Sequence, residues 1–93
     1  MPVGICHIEF EINGAMSLKD KRRVVKSIKD RIRNRFNVSV AEIGDLDRWQ
    51  RAEIGIACIS NDAAYIDGQM ASVIRMMETD GRINLIDVST EIV

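Results

Sequence analysis

The sequence has no apolar run approaching the roughly 18 residues of a membrane-spanning helix, and no charged amino-terminal stretch leading into a long apolar one. Neither a helical span nor a secretory leader is expected. Cysteine is scarce: Cys6 and Cys58 both sit inside apolar, strand-like runs without metal-type spacing, so two reduced core thiols are expected rather than a disulfide. His7 is the only histidine, and no nucleophile stands at a telling distance from it. The glycine patterns of nucleotide-binding loops are missing as well. These absences lead to an expectation of one cytoplasmic, non-enzymatic domain over residues 1–93, with no cofactor and no metal.

What is present is one concentrated charge. Nine of the 13 Lys and Arg residues fall between Ser17 and Phe36, against only Asp20 and Asp30, so this stretch carries +7 on a chain of net charge −1. The other residues hold 12 acids against Arg48, Arg51, Arg75 and Arg82, which makes them −8. The near-neutral total hides a positive element on an acidic body, an asymmetry that bears on partners more than on fold, with nucleic acid the first candidate.

Val3 to Ile12 alternates, with Cys6, Ile8, Phe10 and Ile12 on one side and Ile5, His7, Glu9 and Glu11 on the other, as in a half-buried strand. Asn13-Gly14 breaks it, and Ser17 followed by Asp20 resembles a capping box that starts a helix. Val24, Val25, Ile28, Ile32 and Phe36 then fall within about 120 degrees of helical arc and form the buried stripe, with Phe36 closing the helix. Val38–Ile43 and Gln50–Ile59 read as a hairpin joined through Gly44-Asp45-Leu46-Asp47.

Ser60-Asn61-Asp62 offers caps for a second helix with Ile66, Met70, Val73, Ile74 and Met77 at helical spacing, ended by Asp80-Gly81. The last segment alternates, Ile86, Val88 and Ile92 against Leu85, Asp87, Ser89 and Glu91. The order βαββαβ with right-handed crossovers predicts an α+β, ferredoxin-like fold. Its four-stranded antiparallel sheet runs in the order 4-1-3-2, with both helices on one face.

On a helical projection Lys19, Arg22, Arg23, Lys26, Lys29 and Arg33 lie opposite the apolar stripe as one solvent-facing ridge. Lys21 and Arg35 are expected to flank the stripe, stems along the core edge and charges lifted into water. Lys19 with Arg23, Arg22 with Lys26, and Lys29 with Arg33 are like charges at helical contact spacing, each costing about 0.2–0.5 kcal/mol. Lys19, Lys21, Arg22 and Arg23 also crowd the end where the helix dipole favours acids. Folding does not call for this pattern, and an external anion would relieve it.

RNA phosphates are therefore the expected contacts of Lys19, Lys21, Arg22, Arg23, Lys26, Lys29 and Arg33. The alternatives are a ridge balanced by acids of the body or of another subunit, a ridge that docks an acidic protein, and a single phosphate held at the helix entry, Gly14 to Lys19. Arg48, Trp49 and Arg51 extend the surface if the indole stacks on an unpaired base; otherwise Trp49 anchors the hairpin by burying its ring. The open sheet face should repel phosphate through Glu9, Glu11, Asp87 and Glu91. It places His7, Glu9, Gly55 and Ala57 where RNA-binding versions of this fold carry aromatics. With Ile5, Ile43, Ile59 and Leu85 nearby it suits another protein surface, and homodimerisation is expected there.

Three separated stretches carry a resemblance: Ser17-Leu18-Lys19-Asp20-Lys21-Arg22, then Arg33-Asn34-Arg35-Phe36-Asn37-Val38-Ser39-Val40-Ala41-Glu42, and Trp49-Gln50-Arg51-Ala52. The chain resembles the YlxP-like family of small bacterial proteins, a domain of unknown function, essentially from end to end. The resemblance implies a ferredoxin-like fold and a bacterial cytosolic setting. It also implies encoding beside translation-initiation and ribosome-maturation genes, hence a ribosome or RNA partner. It supplies no catalytic residues. Glu53 departs from the family pattern, standing where an apolar residue is usual.

Overall fold

Alternation over Val3–Ile12 makes strand β1 of the computed structural model, which describes every residue from Met1 to Val93. Helix α1 (Leu18–Arg35), strand β2 (Ser39–Gly44), strand β3 (Arg51–Ile59), helix α2 (Ala63–Glu78) and strand β4 (Ile83–Ile92) follow. The strands form one antiparallel sheet in the order β2-β3-β1-β4, which is the expected order read from the opposite edge. The fold is ferredoxin-like.

A single core of 19 buried residues fills the space between the helices and one sheet face. Cys6, Ile8, Phe10 and Ile12 of β1 and Ala52, Ile54, Ile56 and Cys58 of β3 meet Val25, Ile28 and Ile32 of α1 and Ile66, Met70, Val73 and Met77 of α2. Helix α2 crosses β1 so closely that a Cβ on Gly4 would lie 2.2 Å from Ile66 Cγ2, which leaves room for hydrogen alone. Gly14 takes φ 73, a left-handed conformation that costs glycine little, and so turns the chain from β1 into α1. Both cysteines are free and buried, and burial pushes the Cys6 thiol pKa up, partly opposed by the Thr90 hydroxyl at 3.6 Å.

Strand β4 corrects one expectation. Glu9 pairs with Asp87 while the next residue, Phe10, pairs with Leu85, so Ile86 is the extra residue of a β-bulge. The bulge reverses side-chain parity within the strand. Ile83 and Leu85 therefore pack toward the core ahead of it and Val88 after it, while Ile86 is exposed. Strict alternation through the strand would put Leu85 on the open face.

A second bulge lies in β2, where Glu42 pairs with Ile54 but Gly44 pairs with Glu53, and Ile43 is left exposed between them.

Candidate nucleic-acid interface

Helix α1 begins as its capping residues dictate. Ser17 Oγ accepts from Asp20 N at 3.1 Å, and Asp20 Oδ2 accepts in turn from Met16 N at 3.1 Å. At the other end the Phe36 amide donates to Ile32 O at 2.9 Å, and the Arg35 guanidinium lies 5.6 Å from the Phe36 ring centroid. With Val25, Ile28 and Ile32 turned inward, Lys19, Arg22, Arg23, Lys26 and Arg33 are exposed and Lys29 is half-buried. From Lys19 to Arg33 the ridge runs about 21 Å, at 1.5 Å of rise per residue.

The cations differ in how they are balanced. Lys26 Nζ lies 2.7 Å from Asp30 Oδ2, and Arg33 Nη1 is 3.7 Å from Asp30 Oδ1, so one carboxylate serves two ridge cations. The hydrogen bond from Lys26 is the main reason that the Asp30 pKa is held below the ordinary aspartate value. Arg33 also donates to Val40 O at 3.1 Å. Arg31, outside the ridge, lies 3.2 Å from Asp80, which Arg82 also engages at 2.7 Å, and Arg82 reaches Ser27 Oγ at 3.0 Å. The acidic body thus balances one flank of α1. Lys19, Arg22, Arg23 and Lys29 have no ion pair.

Lys21 corrects the sequence reading. Its side chain is 1% exposed, its Nζ is 3.0 Å from Glu42 Oε2, and it also donates to Asp45 O. A phosphate cannot reach an ammonium enclosed in this way. The stem does run along the core edge as expected, but Glu42 follows Val40 on the inward-facing side of β2 and captures the charge before it reaches water. A buried lysine ion-paired with a largely buried carboxylate, its hydrogen bond going to the Asp45 carbonyl, is a structural clasp between α1 and the hairpin.

The clasp helps to fix the segment between β2 and β3. Asp45, at φ 58, accepts from Lys21 and from Arg48 N at 3.1 Å. Gln50 O accepts from Ile12 N at 2.9 Å, and Gln50 Nε2 donates to Ala15 O at 3.1 Å. These bonds hold the hairpin without the indole, and Trp49 is 50% exposed. The residue is thus half buried, so the ring is not enclosed as a hairpin anchor alone would require. With Arg48, Gln50, Arg51 and Glu11 it lines an open depression of about 560 Å³ at the end of the sheet where α1 begins. Arg48 is 3.6 Å from Asp45 Oδ1, while Arg51 hydrogen-bonds Glu9, which raises the guanidinium pKa further.

The open sheet face divides in two. At one end Ile5, Ala41, Ile43, Gly55 and Ala57 surround a shallow apolar depression of about 320 Å³, with Ile59 exposed beyond it. At the other, Glu53, Glu9 and Asp87 form one cross-strand row. The row itself holds no cation, and Arg51, two residues before Glu53 on β3, is engaged by Glu9. His7 faces Glu53, with Nδ1 3.9 Å from Oε1, and not its chain neighbour Glu9. No group of acids, histidines and cysteines is arranged to hold a metal ion, and no helix is long and apolar enough to cross a membrane.

Comparison with known proteins places this geometry among relatives. A family described as "Protein of unknown function (DUF503)" matches residues 3–90. The uncharacterized protein YlxP of Bacillus subtilis (strain 168) is 39% identical over 77 residues, covering 83% of this chain and 84% of the relative. Among solved structures, a de novo designed protein named Foldit4 superposes with a TM-score of 0.60 at 16% identity, covering 96% of both chains. A second designed protein with ferredoxin fold gives 0.59 at 10% identity, covering 98% of this chain and 86% of the other. A dimeric ferredoxin-like protein from an uncultured marine organism gives 0.55 at 8% identity, covering 100% and 96%. At these identities the structural likenesses concern the fold alone.

Proposed function

The chain belongs to the DUF503 family of proteins of unknown function, and from that premise we propose that it is a non-enzymatic RNA-binding or ribosome-associated module that contacts phosphates through α1. One observation carries this reading: Lys19, Arg22, Arg23 and Lys29 share the outward side of one helix with no acidic partner, while Asp80 is occupied with Arg31 and Arg82. Lys26 and Arg33 add to the surface with part of their charge already met by Asp30. Lys21 is outside it. Four unpaired cations set a log–log salt slope of about −3 for single-stranded RNA, at about −0.7 per phosphate contact.

The test is fluorescence anisotropy of a labelled oligoribonucleotide with the wild type and an Arg22→Glu/Arg23→Glu variant across a salt series. Cosedimentation with ribosomal subunits is the parallel readout. Strong salt dependence lost in the variant supports the reading. Binding unchanged by salt or by charge reversal rejects α1 as the contact surface.

The apolar end of the open face favours a second, compatible reading, a homodimer formed sheet to sheet. Ile43 and Ile59, 46% and 56% exposed, border a floor of small residues there. A ferredoxin-like neighbour of this chain is described as dimeric. Light scattering at tens of micromolar tests this, and a monomer rejects it.

A further inference from the structure

Trp49 and Glu11 line one depression from different segments. Trp49 lies in the segment between β2 and β3, two residues before β3 begins, and Glu11 is near the end of β1. The indole supplies a π-face on a residue that is half exposed to solvent. Glu11 is exposed and has no ion pair, because Arg51, its cross-strand partner, hydrogen-bonds Glu9 instead. The support beneath them is fixed. Ile12 N donates to Gln50 O at 2.9 Å, and Gln50 Nε2 donates to Ala15 O at 3.1 Å. A flat ring beside a free carboxylate on an anchored support is a preorganised surface for one unpaired base.

The chemistry of the carboxylate selects which base. Ionised glutamate offers two acceptors and no donor. Of the four bases, only guanine presents two adjacent donors, N1–H and the 2-amino group, in parallel on one edge. Adenine and cytosine place an acceptor beside their amino group, and the single N3–H of uracil lies between two carbonyls, so each would set a lone pair against the carboxylate. We propose that this depression holds an unpaired guanine of an RNA strand, stacked on Trp49 with its Watson–Crick edge on Glu11, while Arg48 meets the adjoining phosphate.

This proposal rests on the RNA-binding reading of α1. The Gln50–Ala15 and Lys21–Asp45 hydrogen bonds tie the hairpin to the start of α1, so a strand seated on Trp49 has to pass round this end of the molecule, from the open sheet face to the helix side, to meet the first ridge cations, Lys19, Arg22 and Arg23. The ridge supplies affinity without reading sequence, and the depression supplies a preference at one nucleotide.

Trp49 is the only tryptophan in the chain, so its emission reports directly on the site. The full chain is titrated with a hepta-uridylate and with versions carrying one central guanosine, inosine, adenosine or cytidine, following both emission and anisotropy. Free guanosine 5′-monophosphate is the small-molecule control. The guanosine oligomer should quench Trp49 and bind about tenfold more tightly than the others, within the discrimination of a bidentate contact. Inosine, which lacks the 2-amino group, should lose most of that gain, and Glu11→Gln should abolish it.

Equal binding of all oligomers, or binding without quenching, overturns the guanine site and leaves the ridge standing. No binding of any oligomer at low salt overturns both. Free nucleotide binding as tightly as the oligomer would make the depression a mononucleotide site and overturn the RNA assignment. The base series needs no variant, so a folding defect in Glu11→Gln cannot obscure the result.

Discussion

Lys21 and Glu42 form an ion pair of 3.0 Å between α1 and β2, with the lysine side chain 1% and the glutamate side chain 17% exposed. One cation of the most basic segment is therefore part of the fold. Its removal leaves the Glu42 carboxylate in a largely desolvated position, and a broken buried pair costs more than the intact pair contributes. Lys21→Met should lower unfolding free energy by about 2–4 kcal/mol, less than for a fully enclosed pair because Glu42 retains some water. Lys21→Met/Glu42→Leu should recover most of that loss. Urea denaturation of the four proteins of this cycle checks it, and additive single effects would show that the pair is uncoupled.

Asp30 acts in the opposite sense, since it neutralises part of the ridge from within. It lies 2.7 Å from Lys26 and 3.7 Å from Arg33. If α1 contacts RNA, Asp30→Asn should tighten binding and steepen the salt slope by about one contact, with Lys26 freed for phosphate. Arg22→Ala should weaken binding more than Lys26→Ala, because Arg22 has no competing intramolecular partner. Anisotropy titrations at several salt concentrations rank the three variants. An unchanged or weakened Asp30→Asn complex would count against the ridge.

The elements of the fold were legible because each states its period and its punctuation locally. Ser17 and Asp20 mark the start of α1, Asp62 caps α2 through Ala64 N and Tyr65 N, and the alternation of β1 names its buried side correctly. The failures are non-local. The bulge at Ile86 depends on how β4 docks against Glu9 and Phe10, and nothing in the residues 83–92 taken alone requires it. Helical spacing alone puts Lys21 at the core edge, and its full burial needs Glu42 from another element. A signal did exist, since Glu42 shares the inward parity of Val40 in β2. The residues around Trp49 are compatible with an anchor and with a platform, and the hydrogen bonds by which Gln50 and Lys21 hold the hairpin come from side chains whose partners lie in other segments.

Asp80 connects the helices to the start of β4. Its side chain is 6% exposed and accepts from Arg82 Nη2 at 2.7 Å, Arg82 N and Nε at 3.0 Å, and Arg31 Nη1 at 3.2 Å. The side-chain bond from Arg82 is the largest cause holding its pKa below the ordinary 3.8. The folded carboxyl then binds a proton less readily than the unfolded one, so its stabilisation is present above about pH 4 and fades as pH falls through the folded value. Asp80→Asn should cost about 1–3 kcal/mol near neutrality. Its difference from wild type should shrink below pH 4, which thermal melts at pH 7, 4 and 3 would reveal. A difference constant over that range would show that Asp80 does not act through its charge.

The acidic row of the open face sets a further expectation. Glu9 lies directly across from Glu53 on one side and Asp87 on the other, and Arg51 engages only Glu9. Like charges facing each other across strands oppose pairing by about 0.2–1 kcal/mol, so Glu53→Gln should raise Tm at neutral pH. The gain should diminish at high salt, because these side chains are partly open to solvent and their repulsion is screened. The same substitution lowers the negative potential beside the Ile43 and Gly55 depression and should strengthen any sheet-to-sheet dimer. Melting temperature and light scattering on one variant read the two effects separately. A lower Tm would show that Glu53 is held by the nearby His7 more strongly than it is repelled by Glu9.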